Sequence, residues 1–518
     1  MLYFFIFILF FFQSFFSVVG SGGNVFGQTN FTDLGEFIAG GPIRIDFMPY
    51  LLKNNCIEKK RFGLYCVGLY AKSTNSNKLS QFFLPQGDLL LTVTGGPDYF
   101  IPGPLSAVVN KPNNRVVRNI DALVLGISDP DYFSMVSIEL ESIIRYAGVF
   151  GYYVFLFNDN NTPKLSLECA FPLINSIHKC IGKEVIYKTG ENYILSPVKT
   201  ALDGLSRNTL DYQRWNFSDE GMSKTVIPNI EFDISYNYIP IKNCSVESYL
   251  GCLLPVYDSC QQGIKKNVFI FSPQFQNSEH FGLQYGTTIS LFLYQNDERA
   301  IKFLLGNNLL YFLPKNHFRS FDLSGRSWSR YLYSYENFQL KNQKIEPLVN
   351  FFSFDCRVSP NFSNIATTEI HYMRDIFNIA IGYSLFARQS ESVTILDDVP
   401  NVVLQGTIDD SAIVECPPVS IIRTIALRLN DEDVQVQTIN ADNNLVFNAN
   451  YFYAKIDNTM IDISSATHPA VFSGELYIKG AFDFCDVGEI FFGGSYRFSH
   501  NNTAIEYATA WLGVKLDF

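Results

Sequence analysis

Residues 508–518, the last of the chain, read ATAWLGVKLDF. Counting back from Phe518, every second residue is apolar: Leu516, Val514, Leu512, Ala510 and Ala508. Asp517, Lys515, Gly513, Trp511 and Thr509 fall between them. Successive side chains of an extended strand point to opposite sides, so this stretch has one apolar face and one polar face. The stretch before it follows the same rule. Ile490, Phe492, Tyr496 and Phe498 alternate with Glu489, Gly493, Ser495 and Arg497, up to a turn signal at His500-Asn501-Asn502.

Outward from this hairpin the alternation recurs. In residues 230–238, Ile230, Phe232, Ile234, Tyr236 and Tyr238 oppose Glu231, Asp233, Ser235 and Asn237. Residues 352–362 set Phe352, Phe354, Cys356, Val358 and Phe362 against Ser353, Asp355, Arg357, Ser359 and Asn361. Similar segments occupy 164–171, 281–293, 377–385 and 475–484. From the ionisable residues on their polar faces, Lys164, Glu168, Glu231, Asp233, Asp355, Arg357, Lys479 and Asp483 are the candidates for a hydrated lumen. Turn signals stand at 158–161, Asn296-Asp297 and Arg374-Asp375. Longer polar segments near 196–229, 240–275, 314–348 and 388–450 read as long loops on one side. Periodicity alone does not separate a barrel from a soluble β-sandwich, whose apolar face turns inward.

Composition adds a second constraint. Charged residues are only 17% and aromatics reach 15%, with 48 Phe and 29 Tyr. An ordinary soluble protein carries about 25% charged residues. Residues 1–20, MLYFFIFILFFFQSFFSVVG, form an uncharged apolar run that reads as an export signal cleaved near Gly20. No Lys or Arg precedes that run, and an uncleaved anchor is the alternative. A short lead, 21–41, would then open a single unit spanning 21–518. The net charge of −11 argues against nucleic acid as a partner.

The terminal alternation ending in Phe518 resembles the β-signal of Gram-negative outer-membrane proteins. In that family a final Phe and alternating apolar residues are recognised by the barrel-assembly machinery. The resemblance implies an all-β fold: a closed antiparallel transmembrane β-barrel of about 14–16 strands. Outer-membrane lipid and the assembly machinery become the expected partners. Ala510, Leu512, Val514, Leu516 and Phe518 carry the assembly signal. The implied role is a porin-like channel for passive diffusion of small hydrophilic solutes. A barrel-anchored adhesin or structural envelope protein, and a soluble secreted β-sandwich, are the alternatives. The ten cysteines also admit a disulfide-linked envelope network, and a homo-oligomer is compatible with this reading.

Catalytic signatures are missing from the sequence: no His-Glu-x-x-His, no Gly-x-Ser-x-Gly and no phosphate-binding loop. The reading is therefore a non-enzyme without cofactor or metal. The six histidines, His178, His280, His317, His371, His468 and His500, are scattered and read as loop or lumen residues. Residues 319–335 concentrate Arg319, Arg326 and Arg330 among aromatics. They form either a constriction loop folded into the lumen or, the preferred reading, a surface loop with solvated arginines.

Overall fold

The computed structural model describes chiefly residues 62–74, 133–159, 162–188, 222–256, 279–324, 352–397 and 461–517, single positions excepted. Twelve strands close into one antiparallel ring. They are β1 (Phe62–Ser73), β2 (Phe133–Asp159), β3 (Thr162–Lys188), β4 (Asn229–Ile241), β5 (Cys244–Pro255) and β6 (Gly282–Gln295). The other half comprises β7 (Arg299–Phe312), β8 (Asn361–Arg374), β9 (Phe377–Arg388), β10 (Val471–Phe484), β11 (Gly488–Ser499) and β12 (Tyr507–Asp517). Each strand pairs with its chain neighbours, and β12 closes on β1 from Gly63↔Asp517 to Ser73↔Tyr507. Closure leaves the ring without a sheet edge, the condition for a sheet in hydrocarbon.

The count of twelve corrects the expectation of about 14–16. Two features account for the difference. β2 and β3 each run for 27 residues, taking up chain that shorter strands would have shared. Residues 352–362 are not one wall strand either. Pro360 interrupts the ladder, Asn361 takes a left-handed φ of 60°, and the chain turns from a separate strand, Ser353–Ser359, into β8.

Connections sort by length onto the two ends. The links β2–β3, β4–β5, β6–β7, β8–β9 and β10–β11 are tight and lie at the end where β1 begins and β12 finishes. The turn signals at 158–161, Asn296-Asp297 and Arg374-Asp375 stand at these strand junctions. Asn296 builds one of them: its Oδ1 accepts from the backbone N–H groups of Glu298 (3.1 Å) and Arg299 (2.6 Å). All the long connections lie at the other end, as in outer-membrane barrels. There Phe133 and its successors in β2 run on past the end of β1 and pair with the strand Leu90–Thr94. The loop expected at 240–275 starts too early, because β5 occupies its first part. The loops expected at 196–229, 314–348 and 388–450 likewise contain strands, among them Met222–Val226, Lys315–Ser320 and Ser392–Ile395.

The wall is inside out relative to a soluble protein. Leu64, Phe232, Ile234, Tyr285, Ile370, Ile381, Ile478, Phe492 and Leu512 are exposed on the outer face. Gln284, Lys302, Glu369, Lys479, Arg497 and Lys515 are buried on the inner face. Long charged side chains are almost never buried without partners, so the interior must supply them.

Inward glycines give the wall room for its aromatics. Gly382 stands directly opposite Tyr477, and a Cβ there would run into the tyrosine ring. Gly286 opposite Tyr249, Gly493 opposite Trp511 and Gly513 opposite Phe491 repeat the arrangement. In each pair the ring lies across the neighbouring glycine, where any side chain would displace it.

At the long-connection end a cap assembles from two connections, β7–β8 and β9–β10. Lys315–Ser320, Ser353–Ser359 and Ser392–Ile395 form its sheet. Asp322–Leu323 pairs with Ile461–Asp462 beside it. Phe321, Phe352, Phe354, Cys356 and Val358 are buried in it. Burying such side chains is worth about 1.5–3 kcal/mol each.

Candidate functional site: the barrel lumen and its mouth

Strand parity decides which side chains enter the lumen. On β8 the inward residues include Thr367, Glu369 and His371, and on β10 Glu475, Tyr477 and Lys479. Glu369 is the hub of this wall. Lys479 Nζ lies 2.9 and 2.8 Å from its two carboxylate oxygens. Tyr477 donates its hydroxyl to Oε1 at 2.6 Å, and His371 Nε2 stands 2.6 Å from Oε2. The tyrosine reaches Glu369 because the residue between them in register is Gly382.

Neighbouring strands extend this system. Glu475 and Arg497 face each other in register, with Nε donating to Oε2 at 3.2 Å. Arg497 also lies over the Tyr507 ring at 5.9 Å. Glu489 and Lys515 are directly opposite across β11 and β12. Tyr65 on β1 donates to Glu168 on β3 at 2.7 Å. The amide nitrogen of Gln284 donates to both Glu231 and Asp233. Toward the tight-turn end Tyr65, Val67, Ala170, Ala481 and Phe491 pack together, with Trp511 against them.

Asn308, Thr367 and Ser384 stand between the charged groups. Thr367 is opposite Gly306 on β7 and Ser384 on β9. The polar side-chain atoms of all three are buried, with no hydrogen-bond partner among the described residues. A buried polar atom left unsatisfied costs about 1–3 kcal/mol.

The sequence candidates divide among these places. Glu168, Glu231, Asp233, Lys479 and Asp483 lie at inward positions of the ring. Lys164 is on β3, with its side chain outside the described residues. Asp355 and Arg357 do not line the lumen: their strand pairs with Lys315–Ser320 and Ser392–Ile395 in the cap. The break at Pro360 and Asn361 moves them there. Arg319 is a buried cap residue whose guanidinium lies 3.4 Å from Glu391, which excludes for it the solvated surface loop preferred above. Arg326, Arg330, Phe518 and the segments 1–20 and 21–41 lie outside the described residues. Ala510, Leu512, Val514 and Leu516 all face outward on β12.

The mouth brings together three of the scattered histidines. His280 Nδ1 donates to the carbonyl of Leu313 at 2.7 Å. Its Nε2 is 2.9 Å from Nε2 of His317, and His317 Nδ1 lies 3.5 Å from Glu279. The two ring centroids are 4.7 Å apart. Burial, with Arg319, His280 and Lys315 adding positive charge, pushes the His317 imidazole down to about 2. His280 is lowered chiefly by burial, and His468 well below its usual value by burial with Arg319 and Arg388. Burial also pushes the Cys356 thiol up to about 12, an inert thiol. Cys66, Cys244, Cys252 and Cys356 are free thiols.

Sequence reasoning missed the Glu369–His371 pair, although His371 reads as a loop or lumen residue, and it missed Lys302 and the whole mouth cluster; Glu475 and Arg497 stand on the polar faces it assigned without being named as lumen candidates. Period-2 counting along β8 carries a signal for the first two. Ile365 on its inward face and Ala366 on its outward face blur that alternation. The mouth residues come from separate connections, and no spacing rule links them.

No family model matches this chain, and no curated protein does. Among solved structures, similar chains are Gram-negative outer-membrane barrels. An outer-membrane channel from Pseudomonas putida F1 is 8% identical, with a TM-score of 0.35 over 89% of this chain and 96% of that one. The CymD monoaromatic hydrocarbon channel is 9% identical, with a TM-score of 0.27 over 96% and 99%. The translocator domain of the autotransporter NalP from Neisseria meningitidis is 5% identical, with a TM-score of 0.28 over 91% and 92%.

Proposed function

We propose that this chain is an outer-membrane channel with a narrow polar lumen for small hydrophilic solutes, cations in preference to anions. The observation that carries this reading is the set Asn308, Thr367 and Ser384, buried polar groups on the inner wall without a protein partner among the described residues. Their hydrogen bonds are completed by water or by a passing solute. Ionisable groups inside a membrane-spanning segment are costly, and they mark pathways for polar species. Replacing a buried ion pair with apolar side chains is often neutral or stabilising, so a mere anchor gains little from Glu369–Lys479 or Glu475–Arg497.

Charge distribution gives the preference. Among the described inward side chains of β3 to β6, Glu168, Glu231, Asp233 and Glu247 are acidic and no Lys or Arg faces them from those strands. On β7 to β12, Lys302, Arg388, Lys479, Arg497 and Lys515 are interleaved with Glu369, Glu475, Asp483 and Glu489. The excess of acid draws cations.

A barrel that only anchors surface loops is the competing reading, favoured by the apolar cluster around Val67 and Phe491 that narrows the lumen. Recordings from purified protein in planar bilayers separate the two. Discrete conductance steps are expected, with a reversal potential on the cation side in a salt gradient. Asp233→Asn with Glu231→Gln should reduce that potential. A sealed barrel at both neutral and acidic pH would replace the channel with the anchor.

A further inference from the structure

We propose that Glu279, His317 and His280 form an acid-sensitive latch that holds residues 279–281, where the chain enters β6, onto the cap at the mouth. The effect on current rests on the channel reading above, whereas the latch itself does not.

The geometry limits how many protons the cluster can hold. His280 Nδ1 carries the hydrogen donated to Leu313, so its Nε2 must accept from Nε2 of His317. The 2.9 Å contact between these nitrogens has room for one hydrogen. One further proton can be accommodated at His317 Nδ1, facing the Glu279 carboxylate. The next would have to enter the contact between the rings, setting two N–H groups against each other. The latch therefore opens when His280 becomes an imidazolium.

The surroundings oppose that charge from most sides. Lys315 and Arg319 of the cap strand face both His280 and His317, while Arg319, Arg388 from the end of β9 and His317 face His468 of the β9–β10 connection. Glu391 faces His280 from the same connection, but Arg319 and the backbone N–H of His468 occupy it. Glu279 is also faced by Lys224 of Met222–Val226. Cys356, opposite His317 in register, remains a neutral thiol. Glu391, Arg319 and His468 further tie the cap strand to the β9–β10 connection, so release of His317 loosens one interlocked assembly.

The sign of the pH dependence follows from burial. Docked His280 is held neutral and burial disfavours a charge on docked His317, while undocked histidines titrate near the free value of about 6.5. Docking is complete above that pH and weakens as pH falls through it. Each further unit shifts the docked-to-undocked ratio by up to tenfold per histidine.

Hydrogen exchange on the full chain in lipid nanodiscs tests the latch without reference to transport. After correction for intrinsic rates, peptides covering residues 279–281 and 313–320 should lose tenfold or more of their protection between pH 7.5 and pH 5. Peptides from β9 and β10 should not change. His280→Gln should abolish the pH response. Glu279→Gln, which removes the carboxylate that tolerates a proton on His317, should move release to higher pH. Protection that is equal at both pH values in the wild-type chain, or a His280→Gln response as large as wild type, overturns the latch. Parallel bilayer recordings keep the two readings apart. A pH-dependent exchange without current retains the latch and removes the channel, and current without pH-dependent exchange does the reverse.

Discussion

Strand β4 and the cap strand Ser353–Ser359 carry the same alternating pattern and bury opposite faces. On β4, Ile234 is 53% exposed while Asp233 is buried. On the cap strand, Phe354 is 3% exposed and Val358 is fully buried, while Arg357 is exposed. Alternation tells which residues share a face and nothing about which face meets water. Surroundings decide it: a closed ring turns its apolar face out, and a small sheet folded over the mouth turns the same kind of face in.

Three substitutions test this contrast, in order of expected size. Phe354→Ala should cost the cap about 3–5 kcal/mol. Limited proteolysis of membrane-embedded protein should then show the cap open while heat-modifiable migration of the barrel persists. Loss of barrel refolding instead would show that wall and cap are one cooperative unit. On the other face, Ile234→Arg should destabilise the protein by about 2–4 kcal/mol in urea-titrated refolding into vesicles. An exposed position in a water-soluble sheet would tolerate the same change within about 0.5 kcal/mol. The smallest effect is Gly382→Ala, an overpacking cost of about 1–3 kcal/mol against the Tyr477 ring. In a Tyr477→Leu background that cost should fall, since the two residues share one contact.

Much of the wall was legible in the sequence. The two faces of β4, β10, β11 and β12 were assigned residue by residue, and the tight turns fell where Asn, Asp and Arg-Asp marked them. β1 and β2 were harder because parts of both faces are apolar. Tyr65, Val67 and Leu69 face inward, and Tyr65 and Val67 join the interior cluster. The strand count failed because alternation has no term for length, and because Pro360 was read through rather than as a break. Of the lumen, the acids on β3 and β4 were visible, since each sits inside a regular alternating run. The Glu369 hub depends on Gly382, a residue whose importance lies in what its neighbour does. The mouth cluster joins residues from different connections, and only the fold brings them within hydrogen-bond distance.

Orientation of the apolar face underlies all of this, and tryptophan quenching by lipid measures it directly. In a background with Trp215, Trp328 and Trp511 changed to Phe, single tryptophans replace outward Ile234, Ile381 or Leu512, or inward Ser384. In vesicles of brominated phosphatidylcholine, fluorescence from the three outward sites should be strongly quenched and that from the inward site spared. Outward sites that escape quenching, or quenching that ignores the alternation, would contradict a wall facing hydrocarbon.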